Sequence, residues 1–148
     1  MARIKIELPE KFPFSTDIPI RITDLNYGGH VGNDTILTLI HEARMQFLRH
    51  YGYDELNLEG ASLIMSDVAI EFKAELFYGN VVTAFMTATN FTRAGFDIFY
   101  KLMRKDTVVA TAKTGMVCYN YEAKKVIAVP SAVKEKLEAD KGTIRATS

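Results

Sequence analysis

An α+β fold, in which an antiparallel sheet curves around one apolar helix, is predicted by three features of the sequence. The stretch 35–51 is the best helix. Ile36, Ile40, Ala43 and Phe47 recur there at helical spacing, and Leu37, Leu39 and Leu48 add apolar surface off that stripe. Strand-like segments joined by short turns follow it, the pattern of consecutive hairpins and hence of an antiparallel sheet. A helix whose first two turns are apolar nearly all round needs cover on most sides, and a curved sheet supplies that cover.

Each element has its own signal. Residues 1–13 read as a polar arm that adds to a sheet edge. Residues 16–23 are extended and apolar-rich, with Pro19 marking an edge or a strand start. The stretch Asp24-Leu25-Asn26-Tyr27-Gly28-Gly29-His30-Val31-Gly32-Asn33-Asp34 is a tight loop whose backbone lies open. Asn33 or Asp34 is placed to cap the helix, and Gly52 to stop it. From Arg44 to His50 the helix turns polar on one side, which predicts solvent there. Residues 53–60 are turn-like. Val68, Ile70 and Phe72 then alternate with Asp67, Ala69, Glu71 and Lys73. Tyr78-Gly79-Asn80, Thr92-Arg93-Ala94-Gly95 and Lys105-Asp106 are turns that separate strands at 81–90, at Phe96 to Leu102, and at 108–121. Pro130-Ser131 opens a short polar helix running to about residue 140, after which the tail frays. The chain reads as one domain over 1–148, with its core at about 14–130.

Bulk properties narrow the function. Lys+Arg and Asp+Glu both number 18, so the chain has no net charge and no general pull toward nucleic acid or an anionic membrane. An anionic ligand must be held by local charges. Cys118 is the single cysteine. It excludes an internal disulfide, and its apolar strand makes it a small core residue. A reducing cytoplasm fits this. The first residues, MARIKIELPEKF, form neither a secretory signal nor a membrane span. Asn33 and Asn90 open N-x-T triplets, which carry no meaning without a secretory route. His30, His41 and His50 do not share a helix face, and Met45 stands where an H-E-x-x-H motif needs its second histidine, so no metal is expected.

The loop from Asp24 to Asn33 resembles that of the hotdog acyl-CoA thioesterases, including the 4-hydroxybenzoyl-CoA thioesterase type. Members carry a D-x-D/N-x-x-G-H/x-V-x-N loop and then a helix with an E-A-R-like turn. Here that turn is His41-Glu42-Ala43-Arg44, and Phe77-Tyr78-Gly79-Asn80-Val81-Val82 looks like the family's Y-G-D-x-L hairpin. The likeness spans roughly 16–129. It implies a hotdog fold, a curved antiparallel sheet wrapped around one long central helix. It also implies an acyl-CoA thioesterase with no cofactor beyond the coenzyme A of its substrate. The partners implied are an acyl-CoA and a second copy, as a homodimer or dimer of dimers with sites at the subunit interface. Where the 4-hydroxybenzoyl-CoA type has its catalytic aspartate, this chain has Asn26. Another hotdog group uses asparagine there and pairs it with an acid on the helix, for which Glu42 is the nearest candidate. The replacement also opens an alternative: an acyl-thioester-binding protein that does not hydrolyse.

Thioester hydrolysis needs a polarised carbonyl, an activated water and a positioned substrate. The leading N–H groups of a helix lack intrahelical partners and carry partial positive charge. On composition alone this is a glycine-rich helix entry. The resemblance makes the N–H of Asn33 or a neighbour the group that binds the thioester oxygen, with Gly28, Gly29 and Gly32 letting substrate approach. Asp34 has two readings, helix cap and general base. Glu42 is a general base, or a salt-bridge partner for Arg44 or for a basic residue across an interface. Asn26 orients the water or carbonyl, or only holds the turn. His30 bonds the thioester, tunes Asp34, or is a plain turn histidine. The catalytic candidates are therefore Asn26, His30, Asp34 and Glu42. The substrate-binding candidates are Tyr27, Gly29, Asn33, Ser66, Asp67 and Arg93. Of these, Arg93 matches a nucleotide-contacting turn, and Ser66 and Asp67 match a strand facing the site from the partner subunit. Ile36, Leu37, Leu63, Met65 and Phe72 line a fatty-acyl tunnel or an aryl pocket, or are plain core.

Overall fold

Strand β1 (Phe14–Pro19) leads through a 3₁₀ turn at Ile22–Asp24 and the glycine-rich loop into helix α1 (Asn33–His50). Four longer strands follow: β2 (Ser62–Phe72), β3 (Val81–Thr89), β4 (Gly95–Arg104) and β5 (Thr107–Asn120). A two-residue strand, β6 (Lys125–Val126), and helix α2 (Ser131–Ala139) close the chain. The computed structural model describes residues 3–139, so the frayed tail expected beyond the last helix lies outside the described residues.

The strands form one sheet in the order β1-β3-β4-β5-β2, with β6 beside β5 and every pairing antiparallel. Hairpins join β3, β4 and β5 because the predicted turns lie between them. Lys105 sits at φ 54 in one of these turns, a left-handed conformation that short polar loops tolerate. The predicted architecture, an antiparallel sheet around one long helix, is what forms. The buried stripe of α1 is Ile36, Leu39, Ile40, Ala43, Phe47 and Leu48. It packs on Val82, Ala84 and Met86 of β3, Ile98, Tyr100 and Leu102 of β4, and Ala112 and Met116 of β5 in one continuous core.

Several local expectations are corrected. The helix starts at Asn33 rather than residue 35, and its cap is Gly32, with no side-chain cap bond. The Gly32 carbonyl accepts from Thr35 and Ile36 at 3.1 and 3.2 Å, so Asn33 and Asp34 lie inside the first turn and cap nothing. The helix is not enclosed all round either. Asp34, Leu37, Thr38, His41 and Glu42 form an exposed stripe on its first half, whereas Arg44 in the second half is only 5% exposed. Pro19 ends β1 instead of starting a strand, and its edge reading holds, since β1 is an edge of the sheet. β2 begins six residues before the alternating run, because a bulge between Met65 and Asp67 breaks the alternation. Among the described residues the N-terminal arm joins the β-structure only by a single bridge at Phe12. It crosses the face of the sheet opposite α1, where Phe12 joins Phe85 and Met103 in a second apolar cluster.

Cys118 is fully buried in β5, and burial pushes its thiol up to about 11. The thiolate is the reactive form, so the folded protein is expected to resist iodoacetamide at pH 8 and to label in urea. Mass spectrometry of the two samples checks this. Rapid labelling without denaturant would contradict it.

Candidate functional site

The glycine-rich loop is a closed unit. Leu25 and Val31 bridge its base, the Asn26 N–H donates to the His30 carbonyl at 2.9 Å, and the Gly29 N–H donates back to the Asn26 carbonyl at 3.1 Å. Gly29 holds φ 82, which an L side chain adopts only with strain. Asp24, the acid that opens the stretch, is buried and committed. Its Oδ2 accepts from the Arg21 N–H at 2.8 Å and its Oδ1 from the Arg21 guanidinium at 3.3 Å. It is part of the turn, not of a reaction.

Beyond that turn three polar side chains gather at the helix start. The Oδ1 of Asn26 accepts from the Gly28 N–H at 2.8 Å, which fixes the amide. Its Nδ2 then lies 3.6 Å from the point where a Cβ on Gly32 would stand, and Asp34 Oδ1 lies 2.7 Å from that same point. The His30 Nε2 and Asn26 Oδ1 lie 3.5 and 3.2 Å from the matching point on Gly28. The His30 Nδ1 sits 3.3 Å from the Val31 carbonyl, which can only accept, so Nδ1 is the donor of that bond. Asn26 thus stands between His30 and Asp34. The N–H groups of Asn33 and Asp34 donate to no backbone oxygen among the described residues, as the opening turn of a helix dictates.

The other predicted site residues lie elsewhere in the single chain. Tyr27 is fully exposed at the loop tip. Glu42 does not pair with Arg44. Its carboxylate accepts from Gln46 at 2.7 Å and lines a groove of about 400 Å³ with Asp17, Arg21, Thr38 and His41, beside β1. Ser66 and Asp67 line a separate cleft with Thr92, Asp97 and Lys113. Asp67 accepts from Lys113 Nζ and from the Gly115 N–H, both at 2.9 Å; the Lys113 bond first, then its charge and the Gly115 bond, hold the carboxyl below its ordinary range. Arg93 is exposed in the β3–β4 turn and makes no ion pair among the described residues. Of the apolar candidates, Ile36 and Leu63 belong to the core, while Leu37, Met65 and Phe72 are exposed. No group of three His, Cys, Asp or Glu side chains among the described residues could hold a metal.

A family model, described as the Thioesterase-like superfamily, matches residues 20–137. The chain belongs to that superfamily. A thioesterase-superfamily enzyme is therefore what the loop and helix predicted. The chain is 28% identical over 121 residues to a 1,4-dihydroxy-2-naphthoyl-CoA hydrolase from Microcystis aeruginosa, covering 80% of this chain and 88% of that protein. Among solved structures, the 1,4-dihydroxy-2-naphthoyl-CoA thioesterase from Synechocystis superposes with a TM-score of 0.76 at 20% identity, covering 84% of this chain and 94% of that one. The DHNA-CoA thioesterase from Staphylococcus aureus gives 0.73 at 20% identity, covering 84% and 86%. At that identity the two structures establish the hotdog fold, which this thioesterase-like chain shares. Among its described residues no helix is long and apolar enough to cross a membrane.

The sequence reading missed one polar network of this superfamily member. Arg44, buried on α1, donates to Glu55 at 2.8 Å and to the Tyr100 hydroxyl at 3.3 Å. Tyr100 meets Thr114 at 2.7 Å, and His41 meets the other Glu55 oxygen at 2.9 Å. Burial alone would raise the Glu55 carboxyl, but the bonds from Arg44 and His41 hold it below the ordinary range. The only sequence signal was an arginine at a core position of the helix, which demands a buried acid somewhere.

Proposed function

We propose that the chain hydrolyses the thioester of an acyl-coenzyme A at the start of α1. The supporting observation is the convergence of Asn26, His30 and Asp34 on Gly28 and Gly32 beside the unbonded N–H groups of Asn33 and Asp34. In this reading those N–H groups stabilise the oxygen as negative charge develops on it. Asp34 takes the proton from a water that attacks the carbonyl carbon, and the Asn26 amide orients that water. The tetrahedral adduct collapses and the carbon–sulfur bond breaks; Asp34 returns its proton to the departing sulfur, so coenzyme A leaves as the thiol and the acyl group as the carboxylic acid, which ionises in water. Gly29 keeps the loop open to the substrate. Coenzyme A belongs to the substrate, and the reaction needs no other cofactor. A cytoplasmic setting suits the single buried thiol.

The second half of the site comes from another copy. β2 is a long edge strand that pairs with β5 only, and its Val68 and Phe72 are 38% and 47% exposed. A free, partly apolar edge invites pairing with its own kind. Two copies joined there would carry Ser66 and Asp67 of the partner's edge toward the loop, with Tyr27 closing over the thioester and Arg93 reaching the nucleotide phosphates. Val68→Glu places like charges at this seam. The variant is expected to sediment as a monomer and to lose thioester hydrolysis while keeping its circular dichroism. A V68E protein that is still dimeric, or a fully active monomer, would remove the shared site.

The test of the reaction itself is free-thiol release from short-chain, long-chain, benzoyl and dihydroxynaphthoyl coenzyme A esters. The name of the Microcystis relative makes the aromatic esters the first choice. Release above background by any ester supports hydrolysis. Tight binding of these esters with no release would instead establish the non-hydrolytic reading, which Asn26 in place of an acid favours.

A further inference from the structure

The sheet face turned away from α1 carries a second cleft. Residues 3–13 cross that face as a strap. Phe12 packs edge-on against Phe85 of β3 with ring centres 6.2 Å apart, Leu8 and Val108 pack beside it, and the Ile6 N–H donates to Glu71 Oε1 of β2 at 2.7 Å. Between strap and sheet lies a cleft of about 580 Å³, inside the range of roughly 300–1,000 Å³ that small-molecule sites occupy. Register fixes its floor. Lys101 of β4 stands opposite Phe85 of β3 and Thr111 of β5, and Thr111 stands opposite Glu71 of β2.

The lining has two chemical halves. Ile4, Ile6 and Val108 form an apolar wall, and Ile4 is 62% exposed although it sits on a structured strap. The same lining carries the cations Arg3, Lys5, Lys73 and Lys101. Glu71 is the one carboxylate of the lining, and it is already engaged by the Ile6 N–H, by the Thr111 hydroxyl at 3.4 Å and by Lys73 at 3.7 Å. Arg3, Lys5 and Lys101 make no ion pair among the described residues. A chain with no net charge therefore sets several cations against the single Glu71 carboxylate, beside exposed apolar surface, in one concave place. Like charges held together cost energy that an incoming anion recovers.

We propose that this cleft binds an amphiphilic anion, an alkyl chain bearing a carboxylate or phosphate head. The chain lies along Ile4, Ile6 and Val108, and the head meets Lys101 with Lys5 and Arg3. The site is on the opposite side of the sheet from the helix start, so it stands whether or not the thioester reading holds.

Isothermal titration of the full chain with dodecanoate and with dodecyl phosphate tests it, against dodecanol, dodecyltrimethylammonium, inorganic phosphate and phosphatidylglycerol vesicles. Both alkyl anions are expected to bind at one site per chain and to weaken as salt rises. The relative strength of the two tells which head the cleft prefers. The Lys101→Met protein, which keeps the aliphatic stem, is expected to bind roughly tenfold more weakly with unchanged circular dichroism. Deleting residues 1–8 should abolish binding. Asp34→Asn should leave it intact. The proposal is overturned by equal binding of dodecyltrimethylammonium, by unchanged affinity in K101M, by loss of binding in D34N, or by binding to the vesicles alone.

Discussion

Replacing Arg44 with methionine is expected to lower the unfolding free energy by about 3 kcal/mol, the range seen when one member of a buried ion pair is removed. For a chain of this size that is a fall in Tm of roughly 8 °C. Arg44 lies on the core side of α1, only 5% exposed, and bonds both Glu55 and Tyr100. Methionine fills the stem's space but leaves the Glu55 carboxylate with His41 alone and one side of the Tyr100 hydroxyl unmet. The loss stops short of the largest recorded because the Glu55 side chain keeps 23% of its surface in water. The double variant Arg44→Met with Glu55→Leu should recover a good part of the loss, since a pair replaced together leaves no orphaned charge.

The same pair sets an acid limit. The folded Glu55 carboxyl titrates below its ordinary 4.5, so its contribution is fully present above that value and is lost as pH falls through the folded pKa. Urea unfolding as a function of pH should therefore show a steeper acid decline in the wild type than in R44M. A change within about 0.5 kcal/mol, the size of an ordinary surface substitution, would show that the network bears no weight.

The sheet was readable because its turns are chemically marked. Gly79-Asn80 and Lys105-Asp106 punctuate runs of β-branched residues and fall between the strands they were expected to separate, while the turn ending at Ala94 does so with Gly95 opening β4. The helix was readable from its apolar stripe. Its surroundings were not, because burial around a helix depends on which strands arrive where. Leu37 counted as core by type, yet it faces outward in the single chain. Gly32 hid the helix start, since a glycine cap leaves no side-chain signature. Glu55 lies eleven residues from Arg44 in a segment without periodicity, so no local pattern announced their bond. The arm's course over the sheet was hidden for a related reason. Phe12 and Phe85 are far apart in sequence, and only the folded sheet brings a face with Phe85 and Met103 into need of cover. In the folded chain Asn26 and Asp34 both approach Gly32, and Asn26 and His30 both approach Gly28. Ser66, Asp67 and Arg93 belong to other surfaces of one chain, and their place in a site is a matter of assembly.

Asp34→Asn is expected to lower kcat for thioester hydrolysis about a thousandfold, within the range for loss of a general base. Glu42→Gln should stay within about threefold, because at ~1.5 Å of rise per residue its carboxylate sits roughly 12 Å along the helix from Asp34. Glu42 is also held by Gln46 in the groove beside β1. Asp34 instead shares its corner with the Asn26 amide, next to N–H groups that have no backbone acceptor. The two readings of Asp34 separate cleanly in one pair of measurements. A helix cap would keep both activity and stability, because asparagine caps as well as aspartate does. The observed cap is Gly32 without a side-chain bond, so asparagine at residue 34 should cost only ~0.5 kcal/mol through the lost charge at the helix start. Steady-state kinetics beside urea unfolding of the same two proteins decides the matter. An active D34N with an inert E42Q would move the base two turns along α1 and would make the groove by β1, rather than the glycine loop, the place where water attacks.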